Sequence, residues 1–112
     1  YNDRGAELVV NTANRGAIQG LPDDAVIETN CLVNGAGAHP LTFGALPASM
    51  HALTTQIKTY ERLTIQAAVE GDADAGLLAL VTNPLVGDAP TASALLDEVL
   101  TLNRDYLPQF NR

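Results

Sequence analysis

Met50, Leu53, Ile57, Tyr60, Thr64 and Ala67 fall at alternating steps of three and four, which places them along one side of an α-helix. The helix this predicts occupies Leu46–Asp72. It would run roughly 35 Å at about 1.5 Å per residue, long for a small domain. Pro47 suits its first turn, with Ser49 as an alternative cap, and Gly71 stands where a left-handed C-cap is wanted. Thr54, Thr55, Lys58, Glu61 and Arg62 make a polar side. Support of a core outweighs any catalytic role for these positions.

The pattern ahead of this helix has the period of strands. Glu7–Thr12 is a short β-branched run and reads as a strand. Ala13–Pro22 carries two glycines, an Asn, an Arg and a Pro, which predicts a loop pinned by Ile18 and Leu21. Asp23–Asp24 reads as a turn. Ala25–Val33 is a second strand, with Val26, Glu28, Asn30 and Leu32 on one face and Ile27, Thr29, Cys31 and Val33 on the other. Its apolar set changes face near Asn30, which predicts a bulge or a change of covering layer. Asn34–Ala38 opens with Asn-Gly and predicts a hairpin, returning through His39–Phe43 with Pro40 at an edge position.

Beyond Gly71 the period is helical again. Asp72 can cap a helix over Ala73–Thr82, stopped by Asn83–Pro84, and Gly76 within it suggests close packing on a neighbour. A third helix is expected over Pro90–Leu102, carrying Leu95, Leu96, Val99 and Leu100, and Pro108 limits the tail Asn103–Arg112. Strands followed by helices define an α+β class: a small antiparallel sheet packed against a long helix and two or three shorter ones.

Composition narrows the function classes. The chain has 112 residues, 46% hydrophobic and 17% charged, enough for one domain with a core. Its net charge of −7 and six scattered basic residues argue against nucleic acid. No run of about 18 apolar residues suggests a membrane span, no signal peptide opens the chain, and one cysteine fits a reducing compartment. A cytoplasmic location is therefore expected. The chain starts at Tyr1 without an initiating Met, and is expected to be a fragment of a longer protein.

Candidate chemistry is sparse. Cys31 and His39 are the soft-ligand pair nearest in sequence, but zinc needs three or four ligands and no further motif supplies them. A packed cysteine and a rim histidine account for both, and His51 reads as a surface residue near a helix start. No Gly-x-Ser-x-Gly occurs, and Asp23, Asp24, Asp72, Asp74, Asp88 and Asp97 stand in turns or first helical turns, where capping explains them. Asn14-Arg15-Gly16-Ala17 differs: polar groups held in a glycine loop directly after a strand, where Arg can meet a phosphate or carboxylate with two bonds.

Taken in order, Asn14-Arg15-Gly16-Ala17-Ile18, the strand from Leu21 to Glu28, the turn from Gly37 to Pro47 and the helix from Tyr60 to Asp72 resemble the C-terminal part of glycoside hydrolase family 4. The 6-phospho-β-glucosidase branch is the most similar. The likeness covers most of Leu8–Val86, with Asn83 standing where the family pattern has His before Pro-Leu. The strand–turn–strand–helix order is also similar to the end of lactate and malate dehydrogenases. This resemblance implies a single C-terminal domain over residues 1–112, part of a longer enzyme whose Rossmann NAD domain is missing from this chain. It also implies the family's chemistry, an exception to paired-carboxylate glycosidases: oxidation at C3 by NAD, elimination, addition of water, then reduction, with a divalent metal, commonly manganese.

The family's phosphate loop, metal ligands and tyrosine base lie upstream of this stretch. No catalytic, cofactor or metal residue therefore carries over, and the fragment by itself is expected to be inactive. Asn14 and Arg15 are the substrate-binding candidates. The implied partners are a phosphorylated disaccharide or glucoside and, through the surface that faced the missing domain, a second copy in a homodimer or higher oligomer. The competing readings are an α-specific or uronate-specific member, a distant 2-hydroxyacid dehydrogenase tail, and a self-standing dimerisation module without catalysis.

Overall fold

The computed structural model describes residue 3 and residues 5–110. The chain divides into two compact units, Tyr1–His51 and Ala52–Arg112. Its elements run β1 (Ala6–Ala13), β2 (Ile18–Gln19), β3 (Val26–Asn34), β4 (Gly37–Pro40), β5 (Gly44–Ala45), α1 (Ala48–Glu70), α2 (Ala73–Thr82) and α3 (Ala89–Leu102). Two 3-10 turns follow, Arg104–Tyr106 and Pro108–Phe110. Strands precede helices, as the α+β pattern requires.

In the first unit β1, β3 and β4 form an antiparallel sheet in the order β1-β3-β4. The β1–β3 register is unbroken from Ala6↔Val33 to Ala13↔Val26, so the bulge expected near Asn30 is not there. Strict alternation along β3 buries Ile27, Thr29 and Cys31 and leaves Val26 and Leu32 exposed. Val26 and Leu32 are each exposed, and the strand keeps one buried face without a change of side.

The hairpin is shifted by one residue from the Asn-Gly reading. Asn34 pairs with Gly37, leaving Gly35 and Ala36 as the loop. The Asn34 side chain accepts from the Ala36 N–H at 2.8 Å, an Asx turn that spends the asparagine at the corner. A small parallel pair, Ile18↔Gly44 and Gln19↔Ala45, ties the Ala13–Pro22 loop to the segment ahead of α1. Ala17, Leu21 and Ile27 form the core of this unit, with Ile18 packed against it.

In the second unit the local signals hold. Gly71 has φ +71, and its N–H and that of Asp72 both reach the Ala67 carbonyl, closing α1. Asp72 caps α2 by accepting from the Ala75 N–H at 3.0 Å, and Asp88 caps α3 by accepting from Thr91 at 2.7 Å. Small residues make the contact surface: Ala67, Ala75, Gly76, Ala79 and Ala92 are buried. A Cβ added at Gly76 would stand 3.3 Å from Leu96 Cδ1, the close packing expected there.

One expectation for the long helix fails. Met50 and Leu53 are more than half exposed, Thr64 is exposed, and Ala67 is the buried residue of α1. Its stripe, apolar apart from Thr64, is covered only in part.

Candidate functional site

The Asn14–Ala17 loop begins where the β1–β3 ladder ends. The Asn14 N–H donates to the Ala25 carbonyl at 2.8 Å and the Arg15 N–H to the Asp23 carbonyl at 2.9 Å. The Ala17 N–H then folds back onto the Asn14 carbonyl at 2.8 Å, closing a four-residue turn. Both central residues have positive φ, Arg15 at 46° and Gly16 at 81°, the sign pattern of a type I′ turn. Glycine takes that conformation freely. Arg15 is the one non-glycine residue among the described residues to adopt it, at a cost of about 1–2 kcal/mol for a side chain with a Cβ.

Asn14 holds the turn from inside. It has no exposed surface. Its Nδ2 donates to the carbonyls of Ile18 and Leu21, both at 3.0 Å, and its Oδ1 accepts from the Ile18 N–H at 2.7 Å. Both amide hydrogens are therefore used within the loop. The loop curls around this buried amide, whose hydrogen bonds all lie within the turn. Arg15 is placed oppositely. It is exposed, and its guanidinium makes no hydrogen bond or ion pair with another described residue.

Further bonds fasten the same loop. The Ala17 carbonyl accepts from Phe43 at 2.8 Å and Gly44 at 3.2 Å. Gly20, at φ +90, lies against the His51 ring so closely that an added Cβ would collide with Nε2. Sequence alone carried no signal for this Gly20–His51 contact. Nearby, a cleft of about 260 Å³ is lined by Val9, Ile18, Glu28, Asn30, Phe43 and Leu46, among others. Thr29 also lines it; the Thr29 hydroxyl is buried without a hydrogen-bond partner among the described residues.

The register settles the soft-ligand pair. Cys31 lies opposite Pro40, and Leu32 lies opposite His39, so Cys31 and His39 project to opposite faces of the sheet. Cys31 is buried, with Sγ 3.6 Å from the Thr29 carbonyl, while His39 is exposed and its Nε2 lies 3.3 Å from Asn34 Oδ1. Among the described residues no group of three or more His, Cys, Asp or Glu could hold a metal ion. No described helix is long and apolar enough to cross a membrane. The sequence holds no Gly-x-Gly-x-x-Gly loop of the kind that cradles a dinucleotide.

A three-stranded antiparallel sheet, a glycine loop presenting one arginine, and three capped helices define an α+β domain of the kind found at the C-terminal end of family 4 glycosidases. The model of the family 4 glycosyl hydrolase C-terminal domain matches residues 1–86, and the chain belongs to that family. It is 46% identical over 110 residues to the probable 6-phospho-β-glucosidase of Bacillus subtilis, covering 98% of this chain and 25% of that protein. It is 39% identical to the 6-phospho-β-glucosidase of Thermotoga maritima, covering 94% of this chain and 25% of that protein.

Solved structures agree. The Thermotoga maritima enzyme, determined with manganese, NAD⁺ and glucose-6-phosphate, superposes with a TM-score of 0.84 over 94% of this chain and 26% of that one. A 6-phospho-α-glucosidase from gut microorganisms, determined with NAD and glucose-6-phosphate, superposes with a TM-score of 0.90 at 31% identity, over 96% of this chain and 24% of that one. The chain spans about a quarter of the length of the relatives it matches.

Proposed function

We propose that this chain is the C-terminal domain of an NAD- and divalent-metal-dependent family 4 glycosidase that hydrolyses 6-phospho-β-glucosides in the cytoplasm. The observation that carries this reading is the 46% identity, over 98% of the chain, to a probable 6-phospho-β-glucosidase. In such an enzyme NAD supplies reversible hydride transfer and the metal acts as a Lewis acid on sugar oxygens, both held by parts of the polypeptide outside these residues. This domain contributes position. Arg15 offers a forked, permanently charged donor set to an anionic sugar substrate, and Asn14 keeps the turn in the shape that presents it. An exposed arginine held at positive φ, where glycine would be cheaper, supports that role.

The α-specific reading draws on the TM-score of 0.90 to a 6-phospho-α-glucosidase. Backbone likeness is shared by both branches, however, and sequence identity favours the β branch. The test is made on the complete polypeptide carrying this sequence, with p-nitrophenyl β- and α-glucoside 6-phosphates, NAD⁺, Mn²⁺ and reductant. Faster turnover of the β anomer is expected, and preference for the α anomer would overturn the assignment. Arg15→Ala should raise KM roughly tenfold to a hundredfold with kcat little changed, the loss of charge-assisted bonds to substrate. An unchanged KM removes Arg15 from the substrate site without touching the family assignment.

A further inference from the structure

Asn34 is the one asparagine in the sequence followed directly by glycine. A carboxamide so placed can be attacked by the next residue's backbone nitrogen, because glycine has no Cβ to hold the two apart. Contacts at the β3–β4 corner favour that attack. The Ala36 N–H donates to Asn34 Oδ1 at 2.8 Å, which bends the carboxamide forward over the Gly35 peptide. His39 Nε2 lies 3.3 Å from the same oxygen and can donate to it when it carries a proton. The Gly35 N–H, the attacking group, donates to Asp3 Oδ1 at 2.6 Å. A Cβ built on Gly35 would stand 3.1 Å from Asp3 Oδ2, so both carboxylate oxygens lie against this one peptide. Gly35 and Ala36 are exposed, and all the residues involved belong to the first unit.

We propose that Asn34 is a self-modification site, converted through a cyclic imide to aspartate and isoaspartate by groups of its own hairpin corner. Asp3 takes the Gly35 proton as the nitrogen attacks Asn34 Cγ, forming the Gly35 N–Cγ bond. Negative charge builds on Oδ1, where the Ala36 N–H already stands at the distance of an oxyanion donor. Asp3 then passes the proton to Nδ2, the Cγ–Nδ2 bond breaks and ammonia leaves. Water opens the imide at either carbonyl. One opening yields aspartate, and the other yields isoaspartate, in which the main chain runs through Cβ and Cγ. Both products add a negative charge at this corner. Isoaspartate also lengthens the backbone between β3 and β4, which disturbs the pairing of Asn34 with Gly37. The proposal stands apart from the catalytic reading.

The test incubates the 112-residue chain at neutral pH in heavy-oxygen water, either folded or held unfolded in guanidinium chloride, and maps its peptides by mass spectrometry. Asn34 is expected to convert ahead of every other asparagine and to take up a solvent oxygen. It should convert faster in the folded chain, because unfolding keeps the Asn-Gly pair but scatters Asp3 and the Ala36 N–H. Asp3→Asn keeps an acceptor on the Gly35 N–H but cannot take its proton. It should slow the folded chain about tenfold, less than the roughly hundredfold of a well-matched base because a carboxylate is a weak one at neutral pH. The unfolded rate should not change. Asp3 is exposed, so the circular dichroism spectrum of the variant should match the parent. A folded chain that converts no faster than the unfolded one overturns the proposal, as does a folded rate untouched by Asp3→Asn.

Discussion

Replacing Asn14 by Ala should unfold the loop that carries Arg15. The substitution removes three hydrogen bonds at 2.7–3.0 Å from a side chain with no exposed surface. The Ile18 carbonyl keeps a long contact from the Leu21 N–H at 3.4 Å, whereas the Ile18 N–H and the Leu21 carbonyl have no other partner among the described hydrogen bonds. Leaving a buried donor or acceptor unpaired costs about 1–3 kcal/mol each, so two such groups give a loss of about 3 kcal/mol once some water enters. Urea denaturation followed by circular dichroism would read the global change. Hydrogen exchange at the Ile18 amide would read the local one, and should accelerate about a hundredfold at that loss.

Asn14→Asp is the discriminating control. An ionised carboxylate can still accept from Ile18 but faces two carbonyl oxygens, so its folded-state pKa should be raised. By linkage its stability is greatest below the ordinary carboxylate pKa and falls as pH rises through the folded value. A loss under about 1 kcal/mol for Asn14→Ala, or an Asn14→Asp variant whose stability rises from acid to neutral pH, would refute the reasoning.

Further outcomes follow from the helix ends and the turn. Gly71→Ala should cost about 3 kcal/mol in urea denaturation, because the added Cβ meets both a φ of +71 and the backbone carbonyl of Gln109. It should also free the tail by breaking the bond from Gln109 Nε2 to the Ala68 carbonyl. The Asp88 carboxyl is held below its usual range by the Thr91 backbone N–H and then the Thr91 side chain. Its support of α3 is therefore present above the ordinary carboxylate pKa and is lost as pH falls through the lowered value. Asp88→Asn, which keeps the acceptor but does not titrate, should flatten the acid loss of helicity measured by circular dichroism. Arg15→Gly should leave stability within about 0.5 kcal/mol of the parent, relief of the left-handed strain being offset by glycine's greater freedom when unfolded. The same variant should lose substrate affinity like Arg15→Ala, which separates binding from folding.

Local chemistry was legible along the chain. The Asp72 and Asp88 caps, the Gly71 stop and the Pro40 edge each act within a few residues, and each stands where its residue type indicated. The family likeness from Leu8 to Val86 was equally readable, because motif order survives without any knowledge of packing. The hairpin and the second strand were harder. An Asn-Gly pair can occupy the loop or its first corner, and only the pairing of Asn34 with Gly37 decides between them. Val26 and Leu32 looked like a change of face because apolar residues were taken to be covered, yet both are exposed.

For the site, the sequence determined that Asn14 and Arg15 share a glycine turn after a strand; it could not say that one would be buried and the other exposed. The Leu21 carbonyl that claims the Asn14 amide lies seven residues away, and the loop must close before that bond exists. The placement of Cys31 and His39 on opposite faces, and the exposure of β1 as an edge, likewise came from strand order. Caps and turns are set by the few residues whose backbone they satisfy. Burial, register and open edges depend on which distant segments meet, and only the tertiary structure decides that.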